Sequence, residues 1–447
     1  MKRLILSVAV IALAASACKK NADQNFNARG TQAGALVLPE KAIPGIIRED
    51  LFLSKDTLWL LDGKVYVDDN ATLFIQEGAR IEGVKKATNA ESSALVITRG
   101  SQLFAVGTPS EPIVFTAHLD ANNTVAEPGD WGGIVLLGKA TVNKSEPTIE
   151  GIDLPTIPAG VDVHYGGTDD GDKSGELQYV RIEYAGAAIA TDNELNGLTL
   201  GGVGCGTVLD FIESAYGADD AFEFFGGTVN AKHLYALAPN DDAFDFDFGY
   251  RGSVQFAVSQ LRNELAYSAN PNGIETDNDA TGSNDQPFTK PQLSNLTVIG
   301  LETAAQASAK GLLNAALFRR NSNFNVKNSI FFGFPTGLSH TSVNTSKNFS
   351  HNLVAAFTLA VDGGGYPVVT GCGDASTNLA FGGGLTAPFD PTAPDYRPAA
   401  GSQALTAGTD FGCFSGICDA GFITSVSYRG AFDATNNWLA GWAKYDY

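Results

Sequence analysis

The sequence contains little of the residue types on which many catalytic and metal sites depend. Its 447 residues include five cysteines, five histidines and one methionine. The histidines are scattered, and the spacings typical of zinc sites, serine-hydrolase nucleophile turns and phosphate-binding loops are missing. Zinc, serine-nucleophile and nucleotide chemistry are therefore not predicted, and no residue is assigned a catalytic role.

Basic residues are also scarce. Lys and Arg total 29 against 49 Asp and Glu, which gives a formal net charge of −20. Such a surface repels phosphate backbones, so we expect no nucleic-acid partner. An acidic surface suits either solubility or cation binding, and composition alone leaves both open.

Long hydrophobic runs are confined to the first residues. The apolar run at 4–13 follows a basic pair and is too short to span a bilayer comfortably. Ala15, Ser16 and Ala17 then lead into Cys18, a pattern that is similar to the lipobox of bacterial lipoproteins. The similarity implies cleavage before Cys18 and a diacylglycerol on its sulfur. The alternative is an ordinary signal peptide that is cut nearby.

Two internal repeats share a step of 22 residues. Residues 71–81 align with 93–103 without gaps, and residues 219–224 recur as 241–246. Within each unit, apolar and polar residues alternate over three to five positions before a Gly, Asn or Asp, which is strand periodicity. A period of 20–30 residues is typical of a solenoid, and the leucine-rich-repeat signature is missing.

These repeats predict an all-β protein, a right-handed parallel β-helix whose coils of about 22–30 residues stack ~4.8 Å apart. Residues one period apart then become vertical neighbours. We expect Leu73 to lie against Leu95, and Phe222 to lie against Phe244 in a core aromatic ladder.

The chain divides into four expected regions. These are a signal peptide over 1–17, a flexible tether over 18–45, the β-helix over 46–365, and irregular final coils with a cap over 366–447. Polar insertions at about 144–175 and 276–292 are expected to project as loops.

The sharpest candidate site is acidic. The rung alignment puts Glu223, Asp245 and Glu275 at one outward position on consecutive coils, flanked by Asp247 and Asp277. Stacked carboxylates repel each other unless something neutralises them. Calcium prefers oxygen ligands, so the pattern predicts a calcium site on these five residues. The alternative is a solvated acidic face.

Catalytic alternatives are weaker. Glycoside hydrolysis needs paired carboxylates, but turns at strand entries need the same residue type; the residues concerned are Asp219, Asp220, Asp241 and Asp242. A polysaccharide lyase needs a base beside the acidic rungs, and the nearest basic residues in the sequence are Lys232 and Arg251. We therefore expect a non-enzymatic protein and keep the lyase as an alternative.

Oxidised cysteines are expected in an exported protein. The stretch CFSGIC places Cys413 and Cys418 close enough for a small disulfide loop. Cys205, inside GGVGCGT, is predicted to be a buried small hydrophobe.

Several segments together carry a family resemblance. The stretches ATLFIQEGARIEG, EPIVFTA, GDWGGIVLLG, NGIETDND and GAFDATNNWLAGW resemble β-helical surface lipoproteins of Bacteroidetes over nearly the whole mature chain. EPIVFTA followed by GDWGGI also occurs more broadly in proteins with the pectate-lyase-like fold, so that piece is specific for fold alone.

The resemblance implies an exported protein that is lipid-anchored in the outer membrane. We expect it to bind or scaffold a glycan, a cation or an envelope partner such as an outer-membrane transporter. An adhesin or surface-layer component is a further alternative, which predicts self-association through exposed edges. The sequence does not indicate an oligomeric state.

Overall fold

The computed structural model describes residues 38–447 other than 153–155, 191–192, 369–371, 373–377, 382–383, 407, 410 and 419–420. Within this part the chain forms a right-handed parallel β-helix, which confirms the predicted fold class. The expected signal peptide, Cys18 and most of the tether lie outside the described residues.

Three rows of parallel strands, which we call the first, second and third faces, run along the cylinder. The first face contains Glu40–Ala42, Leu58–Leu61, Arg80–Gly83, Ile113–Ala117, Val258–Gln260, Thr297–Ile299, Ile330–Phe332, Leu353–Ala355 and Leu379–Ala380. The second face contains Ile46–Ile47, Lys64–Val67, Ala94–Ile97, Gly133–Leu137, Leu198–Gly201, Phe222–Phe225, Phe244–Asp247, Glu275–Thr276, Asn314–Phe318, Thr336–Ser339 and Leu359–Asp362. The third face contains Leu51–Leu53, Thr72–Ile75, Gln102–Val106, Ser253–Gln255, Gln292–Ser294, Phe324–Lys327 and Lys347–Ser350. Three long strands run from the third face into the first, namely Gly175–Glu183, Val208–Ala215 and Asn230–Leu237.

Few other elements are present in the described residues. Antiparallel pairs join Ala188–Ala190 to Asn193–Glu194 and Leu385–Ala387 to Asp395–Pro398. One α-helix spans Ala304–Ala309, and short 3₁₀ turns cover Asn89–Glu91, Gln403–Leu405 and Phe411–Cys413. Within the described chain, we find no helix that has both the length and the apolar character needed to span a bilayer.

Side chains alternate between inward and outward positions along each strand, and the inward ones fill the cylinder. On the second face, Phe222 pairs with Phe244 and Phe224 with Phe246 in parallel register, and all four side chains are buried. Their rings stack with centroids 5.6 Å and 4.8 Å apart. The predicted aromatic ladder is therefore confirmed, and it fixes which side chains of these strands point outward.

The predicted contact between Leu73 and Leu95 is wrong. Leu73, on the third face, pairs with Leu51 and Leu103, whereas Leu95 lies on the second face and pairs with Val65. The two aligned segments are successive strand-and-turn units and not equivalent positions on successive coils. Each unit ends in a turn with a left-handed glycine, which explains why the segments look alike.

The C-terminal region covers the outside of the cylinder. After the strand Leu379–Ala380, the chain returns along the third and first faces. The carbonyls of Thr409 and Cys413 accept hydrogen bonds from two asparagines of one late coil, and the Cys418 carbonyl accepts one from Asn230 of an earlier coil. Trp438 and Trp442 then pack against the corner between those faces. The region expected to form final coils and a cap thus adds one rung and then an outer layer.

The disulfide predicted between Cys413 and Cys418 is also wrong. Cys418 bonds to Cys205 and Cys413 bonds to Cys372, with Cα–Cα distances of 6.2 Å and 5.4 Å. Because the chain runs across the coils between them, the two cysteines face different parts of the cylinder. Cys205 is half-buried and bonded, and it is not the free buried hydrophobe that we expected.

Candidate metal centre

The acidic residues on the second face stack as predicted. Glu223 pairs in register with Asp245, and Asp245 pairs with Glu275. Asp247 lies in register with Phe225, and the Asp277 amide donates to the carbonyl of Phe246 on the preceding coil. The five predicted carboxylates therefore form one strip across three coils. Several of them are buried and not solvated, with Glu223 only 7% exposed.

Arginines neutralise the end of this strip that lies on the later coil, at Glu275 and Asp277. Arg319 contacts Glu275 and also lies 3.3 Å from Asp277, while Arg320 lies 2.8 Å from Asp277. The Arg319 amide donates to the Thr276 carbonyl, so the arginines follow the strand one coil further along. These two arginines were not predicted from the sequence, although the Arg-Arg pair that follows LLNAALF lies one rung beyond Glu275.

The other end of the strip, at the earlier coils, keeps its negative charge. Carboxylate oxygens of Asp220, Glu223 and Asp245 all lie within 4.8 Å of one another. Oxygens of Asp219, Asp220 and Asp241 form an overlapping set with the same limit. Within the described part of the chain, no lysine or arginine forms a salt bridge with any of these five residues.

Some of these carboxylate oxygens already accept hydrogen bonds from backbone amides or side chains. Asp220 accepts from the Asp242 amide at 2.7 Å, and Asp242 accepts from the Asn272 amide and from its side chain. Ser268 donates to Asp241 at 2.5 Å. Such bonds are typical of turn residues, which favours the structural interpretation of these aspartates over a glycosidase pair.

Other oxygens in the cluster have no donor. Asn196 is 1% exposed, and its side-chain nitrogen donates to Glu223 and to Thr199. The carbonyl oxygen of the same amide, and one carboxylate oxygen of Asp245, are buried without a hydrogen-bond partner among the described residues. Buried acceptors without donors are costly, so these oxygens need a proton, a water or a cation that the described hydrogen bonds do not supply.

The pKa values of these carboxyl groups show the same excess of negative charge. Burial raises the pKa of Asp220, Glu223 and Asp245 well above the ordinary carboxyl range, and the neighbouring carboxylates raise these pKa values further. Burial also raises the pKa of Asp247 and that of Glu275 to about 7. Near neutral pH the cluster must hold protons or bind a cation.

The insertion after Leu137 forms a wall beside the cluster. The chain between this strand and Gly175 folds back onto the second face, where Tyr165 packs against Phe225 with ring centroids 6.3 Å apart. Burial and the charges of Asp247 and Glu223 raise the pKa of Tyr165. The insertion thus covers part of the acidic strip, so the expectation that residues of about 144–175 project from the cylinder as a loop is wrong.

The ligand set fits a hard divalent cation. Asp220, Glu223 and Asp245 supply carboxylate oxygens only, and the Asn196 amide, whose nitrogen donates to Glu223, would present its carbonyl oxygen to the site after a half-turn of the amide. Asp245 is half-buried, so the site reaches solvent. Calcium takes six to eight oxygens in flexible geometry, with carboxylates and waters filling the shell. Of the five predicted ligands, the structure thus brings Glu223 and Asp245 together with Asp220 and Asn196. Glu275 and Asp277 belong to the arginine-paired end.

The basic residues considered for a lyase lie elsewhere. Lys232 is on the third face, where its amine is 2.9 Å from the Thr424 hydroxyl. Arg251 contacts Asp170 at 3.5 Å. Neither forms a salt bridge with the acidic strip in the described structure.

Comparison with known proteins is consistent with the fold. A family model described as a pectate-lyase-like β-helix domain matches residues 45–365. Neither the curated proteins nor the solved structures that were compared with the chain include a significant match.

Proposed function

Since the chain belongs to the family of proteins with a pectate-lyase-like β-helix domain, we propose that it is a calcium-binding surface protein without enzymatic activity. Its ligands are carboxylates of Asp220, Glu223 and Asp245 together with the Asn196 carbonyl. The fold itself does not decide between binding and catalysis, because one fold hosts many activities. The proposal therefore depends on the site.

One observation carries this proposal. Three carboxylates converge within 4.8 Å beside a buried amide oxygen that has no donor, and no salt bridge from a described residue compensates them. The strands Phe222–Phe225 and Phe244–Asp247 hold Glu223 and Asp245 in register, which keeps their carboxylates close together. A divalent cation removes both the repulsion and the unpaired acceptor.

Calcium suits the site better than other common ions. Zinc favours cysteine and histidine ligands, and neither residue type belongs to the cluster. Magnesium demands near-ideal octahedral geometry and keeps several waters, whereas calcium tolerates the irregular spacing of side chains from three coils.

The cellular setting is part of the proposal. The signal-like segment and Cys18 support a lipid-anchored protein of the outer membrane, with the β-helix joined to the anchor by a tether. Asp219, Asp241 and Asp245 are half-buried, so a bound ion keeps coordination positions open toward solvent. An anionic glycan or an envelope protein with an exposed carboxylate fits these positions.

Calorimetry and thermal unfolding test the site. We expect calcium to bind wild-type protein, and saturation at 100 times the dissociation constant to stabilise it by about 2.7 kcal/mol. Glu223→Gln and Asp245→Asn remove ligand charge and should abolish both effects. Glu176→Gln, on the third face, removes an acidic residue far from the cluster and should leave both unchanged.

Two results would contradict the proposal. One is wild-type protein that shows no calcium heat and no thermal shift at millimolar calcium. The other is equal calcium binding by wild type, Glu223→Gln and Asp245→Asn, which would place the ion elsewhere on the acidic surface.

A further inference from the structure

The third face changes character along the cylinder. From the coil of Asn230 onward, its outward positions are polar and are covered by the C-terminal region. Carboxamides of Asn230, Gln255 and Asn325 donate to main-chain carbonyls of that region at 3.3, 2.7 and 3.1 Å. On these later coils, the C-terminal region is therefore the partner of the third face.

The first coils of the same face carry apolar side chains. Phe52, Phe74 and Phe104 stand in register at one outward position on three consecutive coils. Phe52 is 58% exposed and Phe74 is 38% exposed, and Val106 extends the patch on the third coil. We call these four residues the phenylalanine strip. Large apolar side chains that are exposed in a continuous row mark an interaction surface.

Stacking fixes how the strip meets its surroundings. The rings of Phe74 and Phe104 are nearly parallel, with centroids 5.5 Å apart. Rings stacked in this way present their edges to solvent, so the strip does not offer the flat aromatic face on which a sugar ring stacks. A row of ring edges suits insertion among acyl chains and headgroups, where aromatic side chains are favoured.

The position of the strip indicates which partner it meets. Leu38 begins the described chain, and Phe52 lies on the first coil after it. Nineteen residues separate Cys18 from Leu38, and this connection reaches at most about 70 Å when fully extended. The strip spans two coil steps, or roughly 10 Å, at the end of the cylinder that the anchored tether enters. The lipid anchor therefore keeps this end of the cylinder within about 70 Å of a membrane.

A cation close to the strip matches a lipid headgroup region. The Lys173 amine lies 5.0 Å from the centre of the Phe104 ring. Lysines beside aromatic rings can reach phosphate groups while the rings lie deeper. The protein as a whole is strongly acidic, so apolar contact and not net charge must supply the attraction.

We propose that the phenylalanine strip docks onto the membrane that carries the lipid anchor, so that the first three coils lie against the bilayer. This inference rests on the lipid anchor of the proposed function, but it is independent of calcium binding. It predicts that tethering and docking are separate contacts, one through Cys18 and one through the third face.

Fluorescence on tethered protein tests the docking. The mature chain from Cys18, with its other cysteines oxidised, is coupled through the Cys18 thiol to maleimide lipid in phosphatidylcholine vesicles that contain brominated lipid. Phe52→Trp places a reporter in the strip. Phe357→Trp is the control, because Phe357 is another exposed phenylalanine, at 38% against 58% for Phe52, and belongs to a late coil. Spectra are taken as differences from the wild-type chain.

We expect bromine to quench the added fluorescence of Phe52→Trp severalfold more than that of Phe357→Trp. Adding Phe74→Ser and Phe104→Ser to the Phe52→Trp chain should reduce this quenching to the control level. Circular dichroism of the triple variant confirms that the β-helix is retained. If its spectrum is lost, Val106→Ser alone, which should weaken quenching, replaces it.

Three results would overturn the docking. Equal quenching at both reporters would show that the strip does not face lipid. A Phe52→Trp reporter already shielded from soluble iodide without vesicles would show that another part of this chain covers the strip. A dimer in sedimentation that buries the reporter would assign the strip to a second copy. Because the anchor is attached chemically, failure of lipidation at Cys18 in cells would not affect any of these readings.

Discussion

At the scale of single residues, the buried carboxylates of the second face are of two kinds, those paired with an arginine and those without a basic partner among the described residues. Glu275 and Asp277 share Arg319, whereas Asp220, Glu223 and Asp245 form no salt bridge with a described basic residue. The sequence predicted that Glu223, Asp245 and Glu275 would stack, because their spacing follows the strand repeat. It did not predict which of them an arginine would reach, because Arg319 comes from the next coil along.

Removing one repelling charge should stabilise the protein when calcium is absent. In chelator at pH 8, Glu223→Gln is expected to raise the free energy of unfolding by about 1–3 kcal/mol, since it leaves one fewer buried carboxylate to ionise. Denaturant titration measures this. In saturating calcium the order should reverse. A variant that is less stable than wild type under both conditions would show that the Glu223 charge is satisfied without an ion.

Removing the arginine should have the opposite effect. Arg319→Ala leaves Glu275 and Asp277 with less compensation, and we expect a loss of about 2–4 kcal/mol, somewhat below the cost of breaking a fully buried pair. Lys55→Ala is the control, because Lys55 lies 2.8 Å from Glu111 and the Glu111 side chain is 46% exposed, so a much smaller loss is expected. Chemical denaturation of both variants compares them. Equal losses would contradict a special role for Arg319.

The raised pKa values predict how stability depends on pH. Burial raises the pKa of Asp247 and of Glu275 to about 7, so the folded protein retains protons that the unfolded chain releases near pH 4. In chelator, stability should therefore fall as pH rises from about 4 through about 7. Calcium should suppress this fall, because it favours the ionised cluster. A stability profile that is flat over this range in chelator would contradict the assignment.

At the scale of elements, strand periodicity was informative and segment similarity was less so. The 22-residue step from Phe222 to Phe244 is a true coil step, because the two strands pair in register. The similar segments around Leu73 and Leu95 belong to different faces, and they look alike because each strand is followed by a turn with a left-handed glycine. Local alternation therefore identifies strands, but it assigns them to a face only when a longer stretch is repeated.

The outer layer formed by the C-terminal region should contribute strongly to stability. Trp442 is almost fully buried, and its ring lies 6.2 Å from that of Phe211 and 5.9 Å from that of Tyr179. Trp442→Ala is expected to cost about 3–5 kcal/mol, as for other buried tryptophans. Phe357→Ala, at an exposed position, should cost less than about 1 kcal/mol. Thermal unfolding of the two variants provides the comparison, and similar melting temperatures would show that the layer is loosely held.

At the scale of the whole molecule, the parts that sequence reasoning missed are those set by long-range packing. Cys205 and Cys418 are 213 residues apart, and only the return of the chain along the cylinder brings them together. The same return separates Cys413 from Cys418, which are close only in sequence. The solenoid itself was predictable because its contacts repeat at a short, regular interval.

The fold also separates the two proposed surfaces. The phenylalanine strip lies on the first three coils of the third face, and the acidic cluster lies on later coils of the second face. If the first coils rest on a membrane, the cation site stands several coils away from it. Such an arrangement leaves the site accessible to ligands in solution.

Diffraction from crystals grown in calcium, recorded at a long wavelength where calcium scatters anomalously, tests the central claim most directly. We predict one anomalous peak at 2.3–2.6 Å from carboxylate oxygens of Asp220, Glu223 and Asp245, with the Asn196 carbonyl turned toward it. The contradicting result is no peak at this position, with two of the carboxyl groups instead joined by a short hydrogen bond of about 2.5–2.7 Å.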